Sequence, residues 1–570
     1  MNQKAIGIIL LVVSVASFFY CIRTTRSEAG KILINGIVYT MDKDNSVAQA
    51  IAIRGNRIVG VGSDEEIRDR YTSDTVIDLQ GMCVMPGMID AHAHMNGLGQ
   101  LLRSIILVGV PSAEEAVKLV AGRAPNATRG EWIFGRGWDQ NLWQVKEFPT
   151  ASVLDAVAPD NPVLLVRIDG HASWVNSRAM AIAGITRETR DPDGGKIIRD
   201  GKGNPTGVFI DNARDLVENF VPPLTDAEVT ENILRAATEC AKAGITEVGD
   251  MGLDSLEIEI YKHLADERKL PIRIYGTVSA PGATWSTVAL EKPLIAYGGG
   301  MFTLRAVKLY ADGALGSRGA ALVEQYSDDP GNRGLTKISE ADLEANVRLA
   351  FQHGYQPCIH AIGDRGNNMV LNAYEKVLST MPEGDYRPRI EHAQVLLPDD
   401  IPRFRKLGVL PSMQPVHATS DMYWAEARLG PRRVKGAYAW RSLLNTGSII
   451  LGGSDFPNDG MYPLWGFYAA VTRSDRNGYP QDGWYPDQKM TREEAARCYT
   501  AWAAYGAFEE NIKGTIEAGK LADLTILSKD IMRVAPAEIL STDVEKTMVG
   551  GKIIYQSTIQ NSKSQIQNSN

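Results

Sequence analysis

The chain has 570 residues, a formal charge of -8 and a pI near 5.7, with Lys and Arg scattered rather than clustered. That excludes a minimal module, and the lack of a basic stripe argues for a small-molecule substrate and against a nucleic-acid partner. Five cysteines (Cys21, Cys83, Cys240, Cys358 and Cys498) contain no CxxC spacing, which speaks against a disulfide framework or a zinc ribbon and for small buried residues.

Residues 1–29 begin with Lys4, run through an apolar segment from Ala5 to Ile22 and end beyond Arg23 and Arg26. This reads as a signal peptide or a membrane anchor. Ser27-Glu28-Ala29 is a passable small-x-small cleavage site, while the apolar run is near the minimum of about 17 residues for crossing a bilayer. The expectation is therefore an exported protein, periplasmic or extracellular, or one held at a membrane through this segment if it is uncleaved.

Over residues 30–83 the texture changes to short strands and turns, with a hairpin signal at Gly55-Asn56. The same texture returns over 511–556, in Leu521–Leu527 and Thr547–Tyr555. Both ends of the chain are expected to build one small β-sandwich around the domain between them.

In that domain, residues 84–510, strand-like runs alternate with helix-like ones. The strands read as Val84–His94, Thr246–Asp250, Ile272–Val278, Leu304–Asp312, Gln356–Asp364, Arg389–Gln394, Val409–Gln414 and Ile449–Asp455, and Ala227–Ala243 and Glu340–His353 have amphipathic helical spacing. Eight such units predict an α/β fold, a closed TIM-like (β/α)8 barrel. The first gap is too long for one crossover, so an inserted subdomain near 97–225 is expected over the barrel mouth. The polar near-repeat in the tail, 557–570, is expected to be disordered.

Side chains at the C-terminal ends of barrel strands converge on one mouth. His92 and His94 end the first strand, on one face by the period of two. Lys308 sits late in the fourth, His360 ends the fifth, His392 the sixth and Asp455 the eighth. Four of the chain's eight histidines fall at such ends, and imidazoles with a carboxylate suit zinc and related divalent metals. An ammonium cannot ligate a cation. Lys308 is either carbamylated, which makes it an anionic ligand able to bridge two ions, or ion-paired with Asp312 beside a single ion.

These residues resemble the amidohydrolase superfamily. The likeness is carried by Pro86-Gly87-Met88-Ile89-Asp90-Ala91-His92-Ala93-His94, Val307-Lys308-Leu309-Tyr310-Ala311-Asp312-Gly313, His360-Ala361-Ile362-Gly363-Asp364, Ile390-Glu391-His392-Ala393 and Gly453-Ser454-Asp455-Phe456-Pro457. The motifs are most similar to the branch containing N-substituted formamide deformylases. The resemblance implies a barrel flanked by a β-sandwich, one or two metal ions on His92, His94, a carboxylated Lys308, His360, His392 and Asp455, and hydrolysis of a non-peptide C-N bond. Asp455 would serve as ligand and catalytic proton shuttle. D-aminoacylases use a cysteine near the second strand; Thr246-Glu247-Val248-Gly249-Asp250 has none.

For substrate contacts the candidates are Trp138, Asp139 and His171, with packing of the insertion's own core as the other reading, and Arg318, where the neighbouring glycines equally mark a tight turn. His417 follows the seventh strand, either reaching the mouth or staying in a loop. Other readings remain open: a lactonase, esterase or phosphotriesterase on the same site, or a tethered metal-binding protein without turnover. Self-association as a homo-oligomer is also open.

Overall fold

The computed structural model describes residues 26–558 apart from Asp169 and Asp193. The export or anchor segment over residues 1–25 and the tail from 559 lie outside the described residues. Within them no helix is long and apolar enough to cross a membrane, and Ser27–Glu28 pairs in parallel with Tyr71–Thr72.

Among the described residues, one compact unit comprises those up to His94 and again from Ala237, and a second comprises Met95–Ala236. The insertion expected at 97–225 is therefore longer at both ends. Its boundary falls inside the helix Asp226–Lys242, whose unbroken apolar spacing gives no sign of a division.

The first unit holds an eight-stranded parallel barrel. Its strands are β1 (Met88–Ala93), β2 (Ile245–Leu253), β3 (Arg273–Ser279), β4 (Phe302–Tyr310), β5 (Gln356–Ala361), β6 (Arg389–His392), β7 (Leu410–Met413) and β8 (Leu451–Gly452), paired in that order. They are apolar runs buried on both faces, as parallel strands under helices must be. Past β8 the chain bonds back to β1, through Asp455 N–H to His92 O at 2.8 Å and His94 N–H to Phe456 O at 2.9 Å.

The expected first strand divides in two. Cys83–Pro86 belongs to the sandwich, antiparallel to Leu524–Leu527 and parallel to Ile37–Tyr39, and the barrel begins only at Met88. Gly87 makes the passage, since a Cβ there would lie 2.3 Å from Thr246 Oγ1. Both halves are buried throughout, so periodicity could not locate the break. The sandwich itself forms from both chain ends, as a four-stranded and a six-stranded sheet around Leu33, Val38, Ile51, Val84, Leu524, Ile526 and Met548.

The N-terminal ends of the barrel strands form a floor packed on residues 499–523. Arg273 of β3 pairs with Asp523 through Nε at 2.7 Å and Nη2 at 3.0 Å, Lys513 pairs with Glu247 of β2 and with Glu509, and Gln356 of β5 donates to Gly506 O at 2.9 Å.

The second unit is a six-stranded mixed sheet in the order Ile105–Ile106, Ile133–Trp138, Val163–Arg167, Ala172–Val175, Pro205–Asp211 and Gly195–Arg199. One face of it buries Trp138, Trp143 and Trp174 together.

Candidate metal centre

The rim of the barrel gathers its polar groups around Asp455. His92 Nε2 lies 3.4 Å and His94 Nε2 3.3 Å from Asp455 Oδ1. Donors about 2.0–2.1 Å from one tetrahedral ion stand about 3.3 Å apart, so these three atoms have the spacing of ligands around a cation.

What holds each ring from behind sets which nitrogen is offered. His92 Nδ1 lies 2.6 Å from Glu391 Oε2, His94 Nδ1 3.0 Å from Met251 O, and His392 Nδ1 2.9 Å from Gln414 Oε1. Each partner accepts the Nδ1 proton, so the Nε2 lone pair is left for the mouth. Glu391 is in turn clamped by Arg389, with Nε to Oε1 at 2.8 Å. Burial opposes its charge, but the Arg389 guanidinium and His92 hold the carboxyl well below the usual range.

The electrostatics agree with ligation. Burial pushes His392 well below the usual imidazole range and His360 down to about 3, so both are neutral donors at neutral pH. Asp455 is also buried, which raises its pKa, yet the neighbouring His92 and His94 imidazoles prevail and hold it well below the usual carboxylate range. The backbone here is strained: His392 has φ 73° and Asp455 φ 61°, a left-handed conformation that non-glycine residues adopt at a cost and that clusters at functional sites. Asp90 locks the two ends of the barrel together, taking Ser454 Oγ at 2.6 Å and His92 N–H at 3.1 Å.

Of the ligands expected from sequence, the structure brings together His92, His94, Lys308, His392 and Asp455. Lys308 Nζ lies 3.3 Å from His92 Nε2. It does not pair with Asp312, whose carboxylate instead accepts the N–H groups of Ala321, Ile362 and Gly363. His360 stands apart in one respect. Its ring packs edge-on to His392 at 4.6 Å, but its Nε2 faces Gly313 O at 3.4 Å. Among the described residues two three-donor groups form, His92–His94–Asp455 and His392–His417–Asp455, and His360 is in neither.

The residues expected as substrate contacts have partners within the chain. Trp138 is fully buried in the second unit's core, its indole N–H donating to Leu165 O at 2.7 Å, so the ring is a packing residue. In the same unit Asp139 pairs with Arg167 at 2.7 Å, and His171, largely exposed, contacts Asp211 at 2.8 Å. Arg318 spends its guanidinium on Asp328, at 3.0 and 3.1 Å, which answers a carboxylate from within the chain.

An eight-stranded parallel barrel with histidines and an aspartate converging at its C-terminal rim defines a metal-dependent hydrolase fold. The chain belongs to the amidohydrolase family, whose model matches residues 75–555. It is 35% identical over 542 residues to Protein LONG AFTER FAR-RED 3 of Arabidopsis thaliana, covering 92% of each chain. It is 28% identical over 548 residues to the N-substituted formamide deformylase of Arthrobacter pascens, over 92% of this chain and 98% of that one. A solved structure, an uncharacterized metal-dependent hydrolase from Pyrococcus horikoshii OT3, superposes with a TM-score of 0.73 at 27% identity, over 89% of this chain and 99% of that one.

Proposed function

We propose that the chain hydrolyses a non-peptide, amide-type C-N bond in a small molecule, using one or two divalent ions, zinc by donor chemistry, at the barrel rim. The observation that carries this is the set of imidazoles held through Nδ1 with Nε2 left to converge on Asp455. The 28% identity to a formamide deformylase supports the choice of bond.

When bound, the metal supplies a coordinated water of lowered pKa and polarises the scissile carbonyl. His92, His94, His392 and Asp455 would hold it. The ionised Asp455 carboxylate accepts a proton from the attacking water and returns it to the leaving nitrogen, which departs as the amine. Burial lowers the Lys308 ammonium below its usual range, so the neutral amine is accessible. Its attack on carbon dioxide forms an N–C bond, releases one proton and leaves a carbamate, turning an incompatible cation into an anionic oxygen donor.

Export or anchoring through residues 1–29 belongs to the same proposal, supported by the apolar run from Ala5 to Ile22. The test is a substrate panel of formamides and other amides, lactones and esters, and phosphotriesters, given to the metal-loaded protein and to His92→Ala. Amide turnover lost in the variant is expected. Turnover confined to esters or phosphotriesters, or none at all, overturns the assignment. Elemental analysis with and without bicarbonate tests Lys308: metal content that Lys308→Ala leaves unchanged rejects the carbamate.

A further inference from the structure

We propose that the second unit carries a small-molecule site of its own, a cavity on one face of its sheet that takes a flat apolar carboxylate, with Arg136 as the group that meets the anion. The inference is independent of the metal centre and uses residues of that unit alone.

The strand Ile133–Trp138, with the residue before it, sorts its side chains by the period of two. Ile133 faces the tryptophan core together with Val163 and Leu165 of the neighbouring strand, while Trp132, Phe134 and Arg136 share the opposite face. A register shift after Arg136, at Gly137 with φ 108°, returns Trp138 to the core. The second face is only partly covered. Over Leu164 it is packed by Ala179, Phe209 and Val217, but beside Phe134 it opens into a cavity of about 660 Å³, within the range of small-ligand sites.

The lining has the two parts that an amphipathic anion needs. Its apolar part is a pair of stacked rings, Trp132 and Phe134, 13° apart with centroids 6.2 Å from each other, and Phe134 is left exposed. Val221-Pro222-Pro223-Leu224 supplies another wall, and its two prolines fix φ, so that wall is stiff before any ligand arrives. Its charged part sets three guanidiniums against two carboxylates. Arg103 pairs with Glu228 at 3.3 Å and Arg123 with Glu131 at 2.7 Å. Arg136 makes no hydrogen bond or ion pair among the described residues, and it stands between Ile106 and Val166 of the flanking strands. The cavity thus holds an unanswered positive charge in a chain of formal charge -8, and the planar fork of a guanidinium matches a carboxylate.

Calorimetry and tryptophan fluorescence with cinnamate test the site on the metal-loaded protein, with cinnamyl alcohol as the neutral counterpart. One cinnamate per chain is expected, with tryptophan emission quenched as it binds, and the alcohol should bind more weakly. Arg136→Gln should weaken cinnamate about 10- to 100-fold and leave the alcohol unchanged. Phe134→Ala should weaken both, with thermal unfolding reporting that the two variants fold. His92→Ala, which disturbs only the metal centre, should bind cinnamate as the native chain does. Native affinity for cinnamate in Arg136→Gln overturns the proposal, as does an alcohol that binds as tightly as the acid. Binding lost in His92→Ala puts the carboxylate at the barrel rim and overturns it too, and a native chain that takes no cinnamate removes the site outright.

Discussion

The floor and the rim of the barrel both bury charged groups and treat them in different ways. On the floor the charges pair with one another: Arg273 meets Asp523 with two hydrogen bonds, and Lys513 sits between Glu247 and Glu509. At the rim three imidazoles are held from their far sides. Glu391, Met251 O and Gln414 take the Nδ1 protons, and Nε2 of His92 and of His94 lie 3.4 and 3.3 Å from Asp455 Oδ1. The floor places opposite charges side by side. The rim has donors to spare, which is what a cation requires.

That contrast is tested by mutating each end and asking what is lost. The largest effect is expected from Asp455→Asn, which keeps the shape and removes the proton acceptor. Hydrolysis should fall about 100- to 10,000-fold, while the thermal midpoint moves little; a rate within threefold of native would remove Asp455 from the chemistry. Next comes the floor. Arg273→Met strands the buried Asp523 carboxylate, and denaturant unfolding should show a loss of about 3–5 kcal/mol with turnover per folded molecule unchanged. A stable but inactive Arg273→Met would erase the distinction between the two ends.

Glu391→Gln tests the far-side supports. It should weaken metal binding about 10- to 100-fold, measured by competition with a chromophoric chelator, and native affinity would mean that His92 needs no orienting carboxylate. The smallest effect concerns pH. Burial holds His360 at about 3 in the folded chain, against an ordinary 6.5, so on acidification the unfolded chain takes up its proton first. The stability this contributes is whole above pH 6.5 and lost progressively as pH falls toward 3. The metal-free native chain should therefore lose thermal stability more steeply between pH 7 and 5 than His360→Asn, and equal slopes would show that the imidazole is not held neutral.

The barrel was legible because each parallel strand is a buried apolar run that ends in polar residues, and the site because ends of successive strands meet in space. His92, His94, Lys308, His392 and Asp455 come together for that reason. What stayed hidden depends on contacts between distant strands. Glu391 supports His92 from across the barrel, and its one local sign was a charge inside a buried strand, in Arg389-Ile390-Glu391-His392. His417 lies beyond a strand end, where a turn of the chain decides whether a side chain faces in or out. Trp138 shows the converse: an aromatic beside Asp139 reads equally as a binding wall or as core, and only packing separates the two.

The strand carrying His92 and His94 is joined through Gly87 to one that pairs with Leu524–Leu527, far along the chain. Such a distant pairing is slow to form and cannot be made until its partner has left the ribosome. The two earliest histidines of the centre thus follow a strand whose sheet is completed only by residues far later in the chain, so the start of the barrel settles late in folding.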